Sequence, residues 1–268
     1  MAGSVVEGVL RRDRAVLIGA MGVLFVLAGL YTVLGLGMEM TALEMTRMAG
    51  PAQMPGMTQP AAWGAEHALL VFLMWWVMMI AMMMPAVAPV ILLYAVLLRR
   101  TSEAALAPRA AAAFLAGYLA AWAGFGLAAA LAQWWLEAVG LVSARMMTLV
   151  GTVPGALVMI LAGAYQFSPL KDACLTHCRS PAEFIARRRR PGIAGAARMG
   201  AEHGIYCLGC CWVLMALLFV GGVMNLYWIV GLAALVAAER LAPIGRQVSR
   251  VAGAGLIAWG AWALSAAG

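Results

Sequence analysis

The sequence has few charged side chains, and this scarcity excludes most classes of soluble protein. Only 11% of its 268 residues are charged, whereas 65% are hydrophobic. A soluble domain is roughly half apolar and about a quarter charged, so this excess of apolar residues requires lipid as solvent. No run alternates with the period of two expected of a strand, and no internal repeat is evident. The composition therefore predicts an all-α protein, a polytopic bundle of transmembrane helices.

Several signatures of catalysis are also missing. The chain has no phosphate-binding glycine loop, no H-E-x-x-H helix and no nucleophile–base–orienter set, so hydrolysis and ATP-driven pumping have no support. Its five cysteines are odd in number and clustered, unlike a secreted disulfide framework. The net charge of +7 is explained below by membrane orientation, so no nucleic-acid partner is expected. A non-enzymatic role is favoured, although an enzyme is not excluded.

Long apolar runs organise the chain as a single integral membrane domain, residues 1–268. Seven spans are predicted near residues 15–37, 68–97, 111–136, 146–166, 205–223, 226–239 and 251–266. A methionine-rich loop, 38–66, joins the first two spans, and a connection rich in cysteine and arginine, 167–204, joins the fourth to the fifth. The last run is short, and if it lies in the interface instead, the C-terminus is inside.

The basic residues predict the orientation of these spans. With the N-terminus in the cytoplasm, every lysine and arginine except Arg47 and Arg145 falls on the cytoplasmic side. This distribution obeys the positive-inside rule. The run Arg187–Arg190 lies on the same side and is expected to contact anionic lipid headgroups.

Two cysteine clusters with the same spacing form the candidate site. Their members lie at positions i, i+3 and i+4: Cys174, His177 and Cys178, then Cys207, Cys210 and Cys211. On a helix this spacing puts three side chains on one face. Thiolates with an imidazole are typical ligands of zinc, copper(I) or iron–sulfur sites. Because both clusters are predicted at the reducing cytoplasmic face, we predict that these six side chains bind a metal.

A methionine stripe along the second span is a second candidate feature. Its members recur at intervals of four residues: Met74, Met78, Met79, Met82 and Met83. Thioethers and thiolates are soft ligands that select copper(I). Methionine outside and through the membrane, with cysteine and histidine inside, is the order expected of a copper(I) path. A membrane methionine is also a common flexible packing residue, so a structural role for the stripe stays open.

Three further residues are candidates of a different kind. His67 and His203 fit interfacial polar residues first and metal ligands second. Glu239 lies near the end of the sixth predicted span and fits a charge at a helix terminus. If that span extends past Glu239, the residue becomes an intramembrane acid and a functional candidate.

Several of these motifs together resemble a known bacterial family. They are the segments 75–85, 165–181 and 207–212, with Met215, Gly222, Met224, Asn225 and Glu239. They are similar to the predicted metal-binding integral membrane proteins classed as domain of unknown function 2182. The resemblance covers roughly residues 65–245. It implies a metal site, sometimes described as copper-related, in a multi-pass protein of the bacterial cytoplasmic (inner) membrane.

Three functions fit these residues. The first is handling of copper(I), by transport or by delivery to a partner copper protein. The second is a redox or electron-transfer subunit that uses the cysteines as a thiol–disulfide pair or as ligands of an iron–sulfur cluster. The third is a structural zinc site that joins the fourth and fifth spans. The ligand types overlap, so sequence alone leaves the choice open.

Overall fold

The computed structural model describes residues 2–38, 40–48 and 63–267, and its regular elements there are helices. The α-helices are α1 (Ala2–Leu34), α2 (Ala42–Met48), α3 (Ala65–Leu98), α4 (Ala107–Ala138), α5 (Thr152–Tyr165), α6 (Pro169–Arg179), α7 (Pro181–Arg188), α8 (Gly192–Ala216), α9 (Leu218–Gly221), α10 (Leu226–Leu241) and α11 (Gly245–Ala267). An isolated bridge pairs Val142 with Leu149. The all-α fold class is confirmed.

Several of these helices have the length and composition of membrane spans. Four described segments qualify: Ala15–Leu34, Ala65–Leu98, Ala104–Ala138 and Gly192–Gly221. A fifth is formed if α5 and α6, which are bent by 63°, count as one broken span. Neither α10, with 16 residues, nor α11 belongs to this group. The described helices are consistent with a membrane protein, whereas the seven-span count and the inward N-terminus stay predictions.

Two helices begin at places that differ from the expected spans. α5 begins at Thr152 because the residues before it form an ordered loop held to the α9 region. In this loop the Leu149 N–H donates to the Phe219 carbonyl over 2.7 Å, and the Val223 N–H donates to the Met147 carbonyl over 3.2 Å. α8 begins at Gly192, so the expected connection 167–204 contains α6, α7 and the first half of α8.

Glycines allow α4 and α8 to touch through their backbones. A Cβ atom at Gly200 would overlap the Phe114 carbonyl, and one at Gly117 would overlap the Ala197 carbonyl. Small residues permit this close approach between membrane helices, where packing rather than hydrophobic burial drives association. The contact brings Tyr118 of α4 against the cysteine-bearing face of α8.

The methionine stripe of α3 lies in the interior of the bundle. Met78, Met79 and Met83 are fully buried, and Met74 and Met82 are each 2% exposed. The expected methionine-rich loop is described only in part, where Met45 of α2 is also buried. Residues 39 and 49–62, which complete that loop, lie outside the described residues. The stripe therefore faces the protein rather than lipid.

Candidate metal centre

Four of the five cysteines meet where α6 packs against α8. Cys207, Cys210 and Cys211 are buried on one face of α8, as the i, i+3, i+4 spacing requires. The thiol of Cys178, on α6, is buried and lies within hydrogen-bonding reach of the Cys210 thiol. The structure therefore brings sulfurs from both predicted clusters together.

The remaining cysteine lies at the edge of this group. Cys174 is partly buried, and its Sγ would be only 2.5 Å from a Cβ built at Gly209. Gly209 precedes Cys210, so Cys174 packs against the α8 backbone beside the buried thiols. The absence of a side chain at Gly209 leaves room for this sulfur.

A buried arginine sits among the thiols. Nη2 of Arg240, near the end of α10, donates to Cys207 Sγ at 2.8 Å, Cys210 Sγ at 3.1 Å and Cys211 Sγ at 3.5 Å. The same nitrogen donates to the Cys207 carbonyl over 3.1 Å. Arg240 is 6% exposed, and its Nε and Nη1 have no hydrogen-bond partner among the described residues. The guanidinium of Arg240 therefore covers the face of α8 that carries the three sulfurs.

Tyrosine 118 contacts the same cluster from α4. Its hydroxyl lies 2.9 Å from Cys207 Sγ, and either group can be the donor. Sequence reasoning missed both Tyr118 and Arg240. The only available signal for Arg240 was the pair Glu239–Arg240 at the end of an otherwise apolar run, because charges in such runs are costly unless they have partners.

The two histidines nearest the cysteines occupy different environments. His177 is exposed, stacks on Tyr206 with ring centroids 4.3 Å apart, and places Nδ1 2.9 Å from the Ala173 carbonyl oxygen. His203 is 1% exposed and lies one turn before Cys207 on α8. Its ring contacts Tyr118, and its Nδ1 has no hydrogen-bond partner in the described chain. The described residues thus place His203, rather than His177, on the buried side of the cysteine cluster.

Glu239 belongs to a second buried polar group beside the thiols. Glu239 lies in the last turn of α10 and is 1% exposed, so its carboxylate is a buried acid near the end of a helix. It accepts from Lys171 Nζ at 2.8 Å, and Lys171 also donates to Gln166. The Ser249 hydroxyl donates to the same Gln166 oxygen over 3.1 Å. This network joins α6, α10 and α11, and it leaves Arg240 as the buried charge next to the sulfurs.

The other candidates lie elsewhere. His67 is in the first turn of α3, where its ring meets Trp63 edge-on with centroids 4.9 Å apart. In the part of the chain that the structure describes, no three His, Cys, Asp or Glu side chains are already arranged to hold a metal ion. The buried thiols nevertheless have suitable chemistry, because soft sulfur ligands select copper(I). A buried guanidinium with two unpartnered nitrogens is balanced if a neighbouring thiol is ionised, and thiolate is the form that binds metal.

The fold and the site together define a helical membrane-type protein with a buried, arginine-capped thiol cluster. Residues 72–263 match the family model PpoB2, described as a copper chaperone. The match covers more than half of the chain, so this chain belongs to the PpoB2 copper-chaperone family. Comparisons with curated proteins and with solved structures give no significant match. The metal-related family expected from the sequence is confirmed and is copper-related, but the match does not carry the name domain of unknown function 2182.

Proposed function

We propose that this chain is a membrane copper(I) carrier whose buried thiols receive the ion and pass it to a partner copper protein. The observation that carries the proposal is the contact of Arg240 with three α8 sulfurs in a chain of a copper-chaperone family. Cys207 and Cys210 are the primary ligands because their sulfurs lie nearest the guanidinium. Cys178 and Cys211 complete the sulfur-rich environment, with Cys174 at its edge.

Charge balance supports this assignment. One copper(I) ion held by two thiolates carries a single negative charge, which one guanidinium neutralises. A buried centre of this composition avoids an uncompensated charge, which is costly in an apolar interior. Arg240 therefore serves as the counter-ion of the loaded site, and Tyr118 supports Cys207 through its hydroxyl.

The rest of the proposed route follows the sequence. When the chain crosses the bacterial inner membrane seven times with its N-terminus in the cytoplasm, the thiol centre lies toward the cytoplasm. The buried thioethers of α3 then form the path from the outer side: Met74, Met78, Met79, Met82 and Met83. No observation favours a zinc or iron–sulfur centre over copper(I).

Metal content tests the proposal directly. The parent protein, purified in detergent under reducing conditions and loaded with copper(I), is compared with the Cys207→Ser/Cys210→Ser variant by mass spectrometry for copper, zinc and iron. We expect about one copper per chain in the parent and little in the variant, because two primary soft ligands are lost.

A His177→Asn variant is the matched control. His177 is exposed and packed on Tyr206, so its removal should leave copper content unchanged. Size-exclusion profiles establish that each variant is folded. Equal copper in the parent and in the Cys207→Ser/Cys210→Ser variant would refute the thiol centre, and zinc or iron in place of copper would refute the copper assignment.

A further inference from the structure

A cavity of about 380 Å³ opens between α6 and the start of α11. Its polar lining consists of Thr176, Arg179, Ser180, Arg246, Gln247 and Arg250. Within the described chain this lining contains three guanidinium groups, two hydroxyls and one amide, and no carboxylate. Such a set provides only hydrogen-bond donors and neutral groups, which is the chemistry that recognises an oxyanion.

Of the three arginines that line this cavity, one forms an ion pair with a carboxylate of the described structure. Arg179 donates to the carbonyls of Ala242, over 2.9 Å, and Pro243, over 2.8 Å. These acceptors fix the guanidinium in place but are neutral. Arg246 meets a carboxylate, Asp172, with 3.5 Å between Nε and Oδ1. Its partner across one helical turn, Arg250, extends the same basic face of α11.

The predicted headgroup contact, the run Arg187–Arg190, is arranged differently. Its guanidinium groups pair with protein carboxylates. Arg187 lies 2.9 Å from Glu183, Arg190 lies 2.8 Å from Glu202, and Arg189 lies 3.4 Å from Glu103. Internal pairing reduces the attraction of this run for external anions, so the cavity is the better anion site.

Helix α11 adds a second source of positive potential. Arg246 and Gln247 lie in its first turn, and the whole helix has 23 residues. The N-terminus of a helix carries a partial positive charge and free N–H groups that favour phosphate. The start of α11 therefore reinforces the arginines at the cavity.

The surface beyond the cavity is apolar. Farther along α11, Val251 is 72% exposed and Trp262 is 67% exposed, and on the adjoining corner Leu170 is 59% exposed. A lipid whose phosphate group occupies the cavity would place its acyl chains on this apolar surface. We propose that the cavity is a phosphate-binding site, filled by the headgroup of an anionic lipid. This inference goes beyond copper handling and does not rest on it.

Native mass spectrometry of the detergent-solubilised protein, titrated with phosphatidylglycerol, tests the site. The test variant is Arg246→Gln/Arg250→Gln, which keeps Arg179 because that residue holds the α10–α11 turn. We expect phosphatidylglycerol binding to weaken about 30-fold, since each arginine near a membrane surface contributes roughly a fivefold factor. The matched control, Arg187→Gln/Arg188→Gln, removes the same charge and should change binding less than about threefold.

Competition with excess inorganic phosphate separates the two sources of the phosphate group. Retention of phosphatidylglycerol in its presence supports the lipid headgroup, and displacement supports a phosphate site open to soluble anions. Undiminished lipid binding by the Arg246→Gln/Arg250→Gln variant would overturn the proposal. So would equal weakening in the control, because the effect would then follow net charge alone. Unchanged size-exclusion profiles establish that both variants are folded, so this test does not depend on copper binding.

Discussion

Arg240 brings a full positive charge into a cluster of thiols. It is almost completely buried, and its hydrogen bonds in the described structure are made by one nitrogen alone. The neighbouring buried carboxylate, Glu239, is already paired with Lys171. The thiols are therefore the groups that remain to balance the charge. The buried positive charge of Arg240 therefore favours ionised cysteines, and the thiolate is the form that binds metal.

Replacing Arg240 should weaken copper(I) binding without removing any ligand. In Arg240→Gln the counter-charge and its hydrogen bonds to sulfur are lost, so we expect binding to weaken by about 2 kcal/mol, or roughly 30-fold. Arg240→Lys keeps the charge and should recover part of the affinity. Competition with a chromophoric copper(I) chelator measures the change.

Arg246→Gln is the control for the loss of one arginine. Arg246 lies in the basic cavity and makes its ion pair with Asp172, so copper affinity should match that of the parent. An Arg240→Gln variant with parental affinity would show that Arg240 is not the counter-ion of the bound copper.

The cysteine residues could be predicted from sequence, but their partners could not. The i, i+3, i+4 spacing fixes a shared face on any helix, and both faces are found on helices. The choice of histidine depends on packing: Phe184 of α7 covers His203, with ring centroids 5.1 Å apart. The predicted sixth span ends at residue 239, one residue before Arg240, whereas α10 includes Arg240. Only the packing of α10 against α8 reveals that thiols compensate it.

At the scale of helices, the glycine contact between α4 and α8 holds the cysteine face in place. A methyl group at Gly200 would overlap the Phe114 carbonyl, which is backbone and cannot rotate away. The two helices would have to separate, moving Tyr118 away from Cys207. A stability measurement on a single glycine therefore reports on the contact that supports the site.

Gly200→Ala should destabilise the folded protein by about 2 kcal/mol, a typical cost of overpacking. Thermal unfolding in detergent, followed by circular dichroism, measures the decrease in Tm. Gly124→Ala, on α4, is the control because a Cβ there meets nothing within 4 Å. Since alanine favours helix over glycine, Gly124→Ala should leave Tm unchanged or slightly raise it. Equal Tm values for the two variants would contradict a tight α4–α8 contact.

Hydropathy predicts some of the helices and their boundaries better than others. α3 and α4 follow from apolar runs of spanning length, and the structure places helices over both. A connection was expected between the spans 111–136 and 146–166, but the loop runs on to residue 151, because apolar residues such as Leu149 were included in the fourth span. Their pairing with each other and with α9 depends on contacts distant in sequence. Hydropathy alone cannot detect such a turn.

At the scale of the whole molecule, the orientation in the membrane is open to a direct test. With the N-terminus inside, the α3–α4 connection faces the cytoplasm and the end of α4 faces outward. We expect Ser102→Cys to be protected from a membrane-impermeant maleimide in intact cells and labelled after permeabilisation. Ala138→Cys should be labelled in intact cells, because it lies beyond the predicted third span.

The parent chain is the background control, since four of its cysteines are buried and Cys174 is partly buried. Labelling of Ser102→Cys but not Ala138→Cys in intact cells would reverse the orientation. It would also move the thiol cluster from the reducing side of the membrane to the oxidising side, where free thiols are harder to maintain.

The backbone contact at Gly117 and Gly200 also fixes one side of the sulfur cluster. α8 packs backbone to backbone against α4, because a Cβ at Gly117 would overlap the Ala197 carbonyl and one at Gly200 would overlap the Phe114 carbonyl. α6, by contrast, is 11 residues long and meets α5 at a 63° corner. α6 is nevertheless anchored, because its Lys171 pairs with Glu239 of α10 and its Arg179 donates to the Ala242 and Pro243 carbonyls. The thiols are therefore enclosed by helices held in two different ways: α8 by backbone contact with α4, and α6 by a buried ion pair and hydrogen bonds.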